Sequence, residues 1–378
     1  MSRARGPSSP TDARPTSVVT ASADPASVLD ALVASGRDPG CAVAVVRDGS
    51  VDVDHTAGTT DGRREWTSDT LVMTYSVAKP FAALAVLDVV AEGALGLDDA
   101  VTTVWPEYGV AGKSGTTLRH LLSHQAGLPT FGPEAAGVAY DDRETLVALL
   151  ARSAPVHRPG AGVAEHALTY GHLLDEVVRR ATGEDLAARF ARICAAAGWD
   201  LHLRLEVADL GRVATVTELS PGWRLDYERD PRWGPALGRP PGMLDPAVVN
   251  SARFRRASFP AIALHASAIA LAHFYDDVRR PDGWVAHRLG HETWSACLEP
   301  AATGHDLVLD REVVWTLGFQ RDEEDGRLEI GMGGAGGCSA WTEPNARYGA
   351  AFVSRGLGGH DRGEDVWRSI RSAYAPRP

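Results

Sequence analysis

Ser76 and Lys79 stand three residues apart in Thr-Tyr-Ser-Val-Ala-Lys-Pro-Phe, residues 74–81. A serine and a lysine at i and i+3 of a helix share one face. Pro80 is compatible with a helix start, because proline is tolerated where the backbone N–H has no helical partner. The positive end of a helix stabilises an alkoxide and disfavours a second cation. Such a pair therefore suits a serine nucleophile with a neutral lysine as its base, and burial would lower the lysine pKa further. The same spacing also suits a plain N-cap serine beside a solvated first-turn lysine. Lysine is otherwise almost absent, since Lys79 and Lys113 are the only two in 378 residues. Arginine stays charged in proteins, whereas a lysine can be tuned into a base.

The elements that position this pair can be read from periodicity. Residues 26–36 have helical spacing, and residues 41–47 and 51–57 flank Asp48-Gly49-Ser50, a hairpin signal. The apolar run from Phe81 to Val90 is helical, and Gly93 and Gly96 fall where it should stop. Helices are expected over 117–125, 142–152, 168–182, 184–197 and 266–279, with a Pro-, Gly- and Trp-rich excursion over 220–250. Residues 313–320, 327–332, 339–343 and 348–354 read as consecutive antiparallel strands, and 363–374 as a last helix. Strands at both ends and helices between imply an α+β fold. The expected division is a flexible arm over 1–25, a sheet domain from 26–110 and 260–378, and a helical lobe over 111–259. Ligands favour the cleft between two such lobes.

Composition narrows the function classes. Hydrophobic residues make up 44% and charged residues 23%, which excludes global disorder. Lys and Arg number 38 against 49 Asp and Glu, a net charge of −11, which argues against nucleic-acid or anionic-membrane binding. Four scattered cysteines, Cys41, Cys194, Cys297 and Cys338, read as buried thiols. The N-terminus has no apolar signal core and no membrane-length apolar run occurs, so a cytoplasmic protein is expected. His120 and His124 are spaced i, i+4, but no Glu follows His120 as a zinc-protease helix requires, so no metal and no cofactor is expected.

Several blocks together resemble the serine β-lactamase/penicillin-binding-protein-like superfamily, on the branch of the class C β-lactamase-related esterases and D-aminopeptidases. TYSVAKPF (74–81) resembles the nucleophile helix, and LRHLLSHQAGLP (118–129) an L-L-[ST]-H-x-[SA]-G-L signature. PGAGVAEHALTYGHLLDEVVRRATG (159–183) resembles the second motif with its helix, and GMGGAGGCSAWTEP (331–344) the third motif. The resemblance covers roughly residues 30–375 in the expected order. It implies a β-lactamase/transpeptidase-like fold, an antiparallel sheet flanked by terminal helices with an inserted helical domain. It also implies Ser76 as the acylated nucleophile, Lys79 as its base, and backbone N–H groups of Ser76 and Ala335 as the oxyanion hole.

Two matched positions depart from the pattern. Glu165 stands where the second motif has its tyrosine, and Met332 where the third usually has Lys or His. Glu165 could act as a general base. An ionised Glu165 beside Lys79 would instead favour the ammonium. Met332 removes a group that would hold a substrate carboxylate, which disfavours a β-lactam. His166, Tyr170, Met332, Gly333, Gly334 and Trp341 are the expected substrate-contacting residues. The expected activity is acyl transfer or hydrolysis on a small-molecule ester, thioester or amide. The alternatives are a non-hydrolytic cyclisation or isomerisation with Glu165 as acid/base, and a non-enzymatic binding scaffold.

Overall fold

The computed structural model describes residues 24–324 and 326–375. The arm expected over residues 1–25 lies almost wholly outside them.

The sheet is assembled from both ends of the chain. Its strands are β1 (Gly40–Arg47), β2 (Ser50–Gly58), β3 (Ala302–Asp306), β4 (Arg311–Trp315), β5 (Gln320–Glu324), β6 (Arg327–Gly333), β7 (Ser339–Glu343) and β8 (Tyr348–Ser354). Their spatial order is β2-β1-β8-β7-β6-β5-β4-β3, and every pairing is antiparallel. The register brings the chain ends together, with Cys41 opposite Ser354 and Val46 opposite Gly349. Asp48 and Gly49 both have positive φ, so the first hairpin turn uses the conformations that Asp-Gly tolerates best.

β1 is buried on both faces, and its alternation divides the core. Cys41, Val43 and Val45 pack with Val28, Leu32, Trp367 and Ile370 of the terminal helices α1 (Pro25–Ala34) and, last in the chain, Asp361–Ala373. Ala42, Ala44 and Val46 join the larger core on the other face. Asp24 caps α1 by accepting from the N–H groups of Ala26 and Ser27. The buried Asp38–Arg362 ion pair then ties the start of β1 to the last helix.

The helical segments expected in the middle of the chain form at Arg143–Arg152, Thr169–Thr182 and Leu186–Ala197. The last two end on Gly183 and Gly198 in left-handed conformation, the C-terminal stop glycine supplies at least strain. The excursion over 220–250 is more ordered than its Pro and Gly content implied, with short helices at Trp223–Arg229, Trp233–Leu237 and Pro246–Val249. Packing of Trp223, Tyr227 and Trp233 on one another overrides the weak local signal. All four cysteines are free and buried. Among the described residues, no helix is long and apolar enough to cross a membrane.

Candidate active site

Two elements present the serine. Tyr75 sits at φ 52°, ψ −130°, a conformation that strains a side-chain-bearing residue by about 1–3 kcal/mol. It is held there by main-chain pairing on the 263–264 segment, including the Thr74 N–H bond to the Leu264 carbonyl at 2.9 Å. Ser76 then opens a tight turn, Ser76–Ala78, that runs into the helix α2 (Lys79–Ala91). This helix is buried from Lys79 to Val89, with Phe81 against Phe190, Phe274 and Tyr275. Ser76 thus adjoins a helix that is buried along most of its length.

Lys79 lies inside that element and is fully buried, while Ser76 is half-buried and keeps contact with solvent. The lysine Nζ is 2.8 Å from Ser76 Oγ, 3.1 Å from Glu165 Oε1 and 3.5 Å from the Ala261 carbonyl. Burial pulls the Lys79 pKa below its ordinary value, against the pull of Glu165. Burial also raises the Glu165 carboxyl, which Lys79 opposes. Both directions lower the cost of moving the proton from Nζ to the carboxyl. Lys113, the other lysine, is structural: its ammonium donates to the carbonyls of Val110, Ala151 and Ser153.

Glu165 is fixed by its backbone. The N–H groups of Ala164, Glu165 and His166 donate in turn to the His124 carbonyl, Asp306 Oδ1 and His124 Nδ1, at 3.1, 3.0 and 3.1 Å. His124 takes φ 61° to offer both acceptors. That conformation places it beyond the helix Leu118–Leu122, off any shared helical face with His120.

The third-motif loop closes the other side. A Cβ at Gly334 would lie 2.1 Å from the Thr74 carbonyl oxygen and 3.2 Å from Ser76 N, so only glycine lets these chains touch. The next residue is Ala335. Among the described residues, neither the Ser76 nor the Ala335 N–H donates to a protein acceptor. Two free donors flanking this contact suit a developing oxyanion. Gly333 differs from Gly334, since a Cβ there would meet only open space.

Four expected substrate contacts are packing residues instead. Trp341 lies on the opposite face of the sheet, because it pairs with Gly331 and Ala350 and packs with Phe352 and Trp367 under the terminal helices. Tyr170 is buried, with its hydroxyl donating to the Leu122 carbonyl at 3.2 Å and its ring 4.7 Å from His124. The His166 ring accepts from the Leu128 N–H at 3.1 Å and is fully buried, which pushes its imidazole down to about 3. Met332 is buried among Val163, Val313 and Trp315.

One residue was missed from sequence. Tyr227 is 8% exposed and joins an aromatic row from Tyr75 through Trp223 to Trp233. Burial and then the charge of Glu165 push its phenol above the ordinary value. Among the described residues, its hydroxyl has no hydrogen-bond partner. It lies in the excursion over 220–250, where no spacing ties a tyrosine to the Ser76–Lys79 pair. A cavity of about 550 Å³ between the 197–200 turn and the helix Ala268–Val278 shares no lining residue with this site.

Known proteins are similar to this chain in sequence and in fold. The curated esterase EstB of Burkholderia gladioli is 34% identical over 180 residues, 43% of this chain and 45% of that protein. The esterase/beta-lactamase LipL of Mycobacterium tuberculosis is 32% identical over 159 residues, 41% of this chain and 36% of that protein. The matched regions thus span less than half of either curated relative. A penicillin-binding-protein homologue from Caulobacter crescentus superposes with a TM-score of 0.79 at 29% identity, over 94% of this chain and 99% of that one. A family VIII carboxylesterase gives 0.78 at 25% identity, over 93% and 98%. The family model described as Beta-lactamase matches residues 26–375, and the chain belongs to that family.

Proposed function

We propose that the chain is a serine-dependent acyl-transfer enzyme, an esterase or acyltransferase, acting on a neutral small-molecule ester. The observation that carries this reading is the bridging position of the buried Lys79 Nζ, within reach of both Ser76 Oγ and Glu165 Oε1. Esterase relatives and the carboxylesterase fold neighbour support the same class.

The chemistry follows from the geometry. Lys79 passes one proton to Glu165 and becomes a base. Ser76 Oγ attacks the substrate carbonyl carbon as its proton moves to Nζ. The carbonyl oxygen takes the negative charge against the N–H groups of Ser76 and Ala335. Collapse breaks the carbon–oxygen bond, and the departing alkoxide takes the proton from Nζ. Water or an alcohol then repeats the cycle on the acyl-enzyme, restoring Ser76. Met332 is buried in apolar packing at the place where the third motif usually has Lys or His, so that place offers no cation for a substrate carboxylate, which favours a neutral ester over a β-lactam.

The test is turnover of a panel of p-nitrophenyl esters by the wild-type chain and by Ser76→Ala. The expected result is hydrolysis lost by more than about 10²-fold in the variant. Equal turnover by the two proteins would remove the serine from the mechanism. No turnover of any ester of the panel by the wild-type chain would leave the non-hydrolytic or binding-scaffold reading.

A further inference from the structure

The β3–β4 hairpin ends beside Glu165, and two oppositely charged residues face each other across it. Asp306, the last residue of β3, is the register partner of Arg311, the first residue of β4. Val163 pairs in parallel with Asp306, and the Leu307 N–H donates to the Val163 carbonyl at 3.1 Å. The segment carrying Glu165 is thereby stitched to the edge strand of the sheet.

Asp306 is fully buried and accepts from four N–H groups. Oδ1 takes those of Glu165, Val308 and Leu309 at 3.0, 2.9 and 3.0 Å, and Oδ2 takes Trp315 Nε1 at 3.2 Å. A buried acceptor with this many donors holds a fixed negative charge in a fixed place. Arg311 is half-buried, and its guanidinium donates to the Gln320 side-chain oxygen and not to a carboxylate within ion-pair distance among the described residues.

We infer that Asp306 and Arg311 are positioning residues that set, with opposite signs, where the proton shared by Lys79 and Glu165 resides. The inference rests on the reading of Lys79 as the base for Ser76. The negative charge of Asp306 behind Glu165 raises the proton affinity of that carboxyl, and the cation of Arg311 lowers it. The other titratable groups facing the pair are Tyr227, His124 and His166. Both imidazoles are held neutral by burial, so they supply no competing charge. Asp306 thus drives the proton from Nζ to Oε1 and leaves the lysine lone pair facing the serine. Two jobs are combined in one carboxylate: it fixes the Glu165 main chain and biases its protonation.

The experiment is the pH dependence of the rate at which a fluorophosphonate labels Ser76, read by intact mass, in wild type, Asp306→Asn and Arg311→Gln. The acid limb reports loss of the first proton from the doubly protonated Lys79–Glu165 pair. Removing a negative charge should move that limb to lower pH in Asp306→Asn, by about one unit, with a lower plateau. Removing a positive charge should move it to higher pH in Arg311→Gln. A purely structural role for Asp306 would lower the plateau and leave the limb in place, and that result overturns the inference. Should Asp306→Asn not fold, the half-buried Arg311 decides alone, and an unmoved limb there is equally fatal. Wild-type protein that does not label at all contradicts the acyl-transfer reading itself, so the two failures are distinguishable.

Discussion

Glu165 Oε1 lies 3.1 Å from Lys79 Nζ, and both side chains are almost wholly excluded from water. Replacing one partner of such a pair leaves the other buried without compensation, at a cost of about 3–5 kcal/mol. Glu165→Gln is therefore expected to lower stability near neutral pH, where Lys79 must lose its proton to remain buried. Thermal unfolding at neutral and alkaline pH checks this: the deficit relative to wild type should shrink as pH rises and the unfolded chain also loses its lysine proton. A deficit independent of pH would mean that the ion pair is not its source.

The activity of the wild-type chain should rise with pH along a limb below the ordinary lysine range of about 10.4. The sign follows from the base: only neutral Nζ accepts the serine proton, and burial lowers its pKa. A pH–rate profile of kcat/KM on an ester substrate measures it. A limb at or above the ordinary lysine value would show that Glu165 holds the ammonium instead.

Gly334 and Gly333 are neighbours with opposite tolerance. A Cβ at Gly334 would press to 2.1 Å from a backbone oxygen, whereas one at Gly333 meets nothing. Gly334→Ala should cost about 1–3 kcal/mol of stability, since backbone must move, and displace Ser76 N from the oxyanion site. Gly333→Ala should remain within about 0.5 kcal/mol of wild type. Chemical denaturation of both variants separates them.

Tyr227 carries a hydroxyl with no hydrogen-bond partner among the described residues, so removing it should cost the fold little. Tyr227→Phe is expected to unfold within about 0.5 kcal/mol of wild type. If the phenol donates to the substrate or leaving group near Glu165, kcat should fall by about 10-fold or more. Unchanged kcat and KM would assign Tyr227 to packing.

Much of this architecture is legible from the chain alone because the signals are local. Asp48-Gly49 marks the first hairpin, alternating apolar residues mark the C-terminal strands, and Ser76-Val77-Ala78-Lys79-Pro80 opens the buried helix. The substrate contacts were less legible, because they depend on which face of a strand or helix meets the cleft. Trp341 is one residue past Ala340, and period-two alternation sends it to the terminal helices. Tyr170 and His166 sit in the second-motif block yet each bonds the main chain of residues 122–128 through one side-chain atom. Rarity of lysine also misleads once: Lys113 holds three carbonyls and Lys79 holds the serine. Asp306 carried no sequence signal at all, since its four donors come together only when the edge strand meets the 163–166 segment.

The most direct test of the whole account is peptide mapping after fluorophosphonate treatment of the wild-type chain and of Lys79→Met. Methionine is close to lysine in size and carries no amine, so the buried space stays filled. A single adduct on Ser76 in the wild type, lost or slowed by more than about 10²-fold in Lys79→Met, is the expected result. Labelling of Ser76 at the same rate in both proteins, or an adduct on another residue, would contradict it.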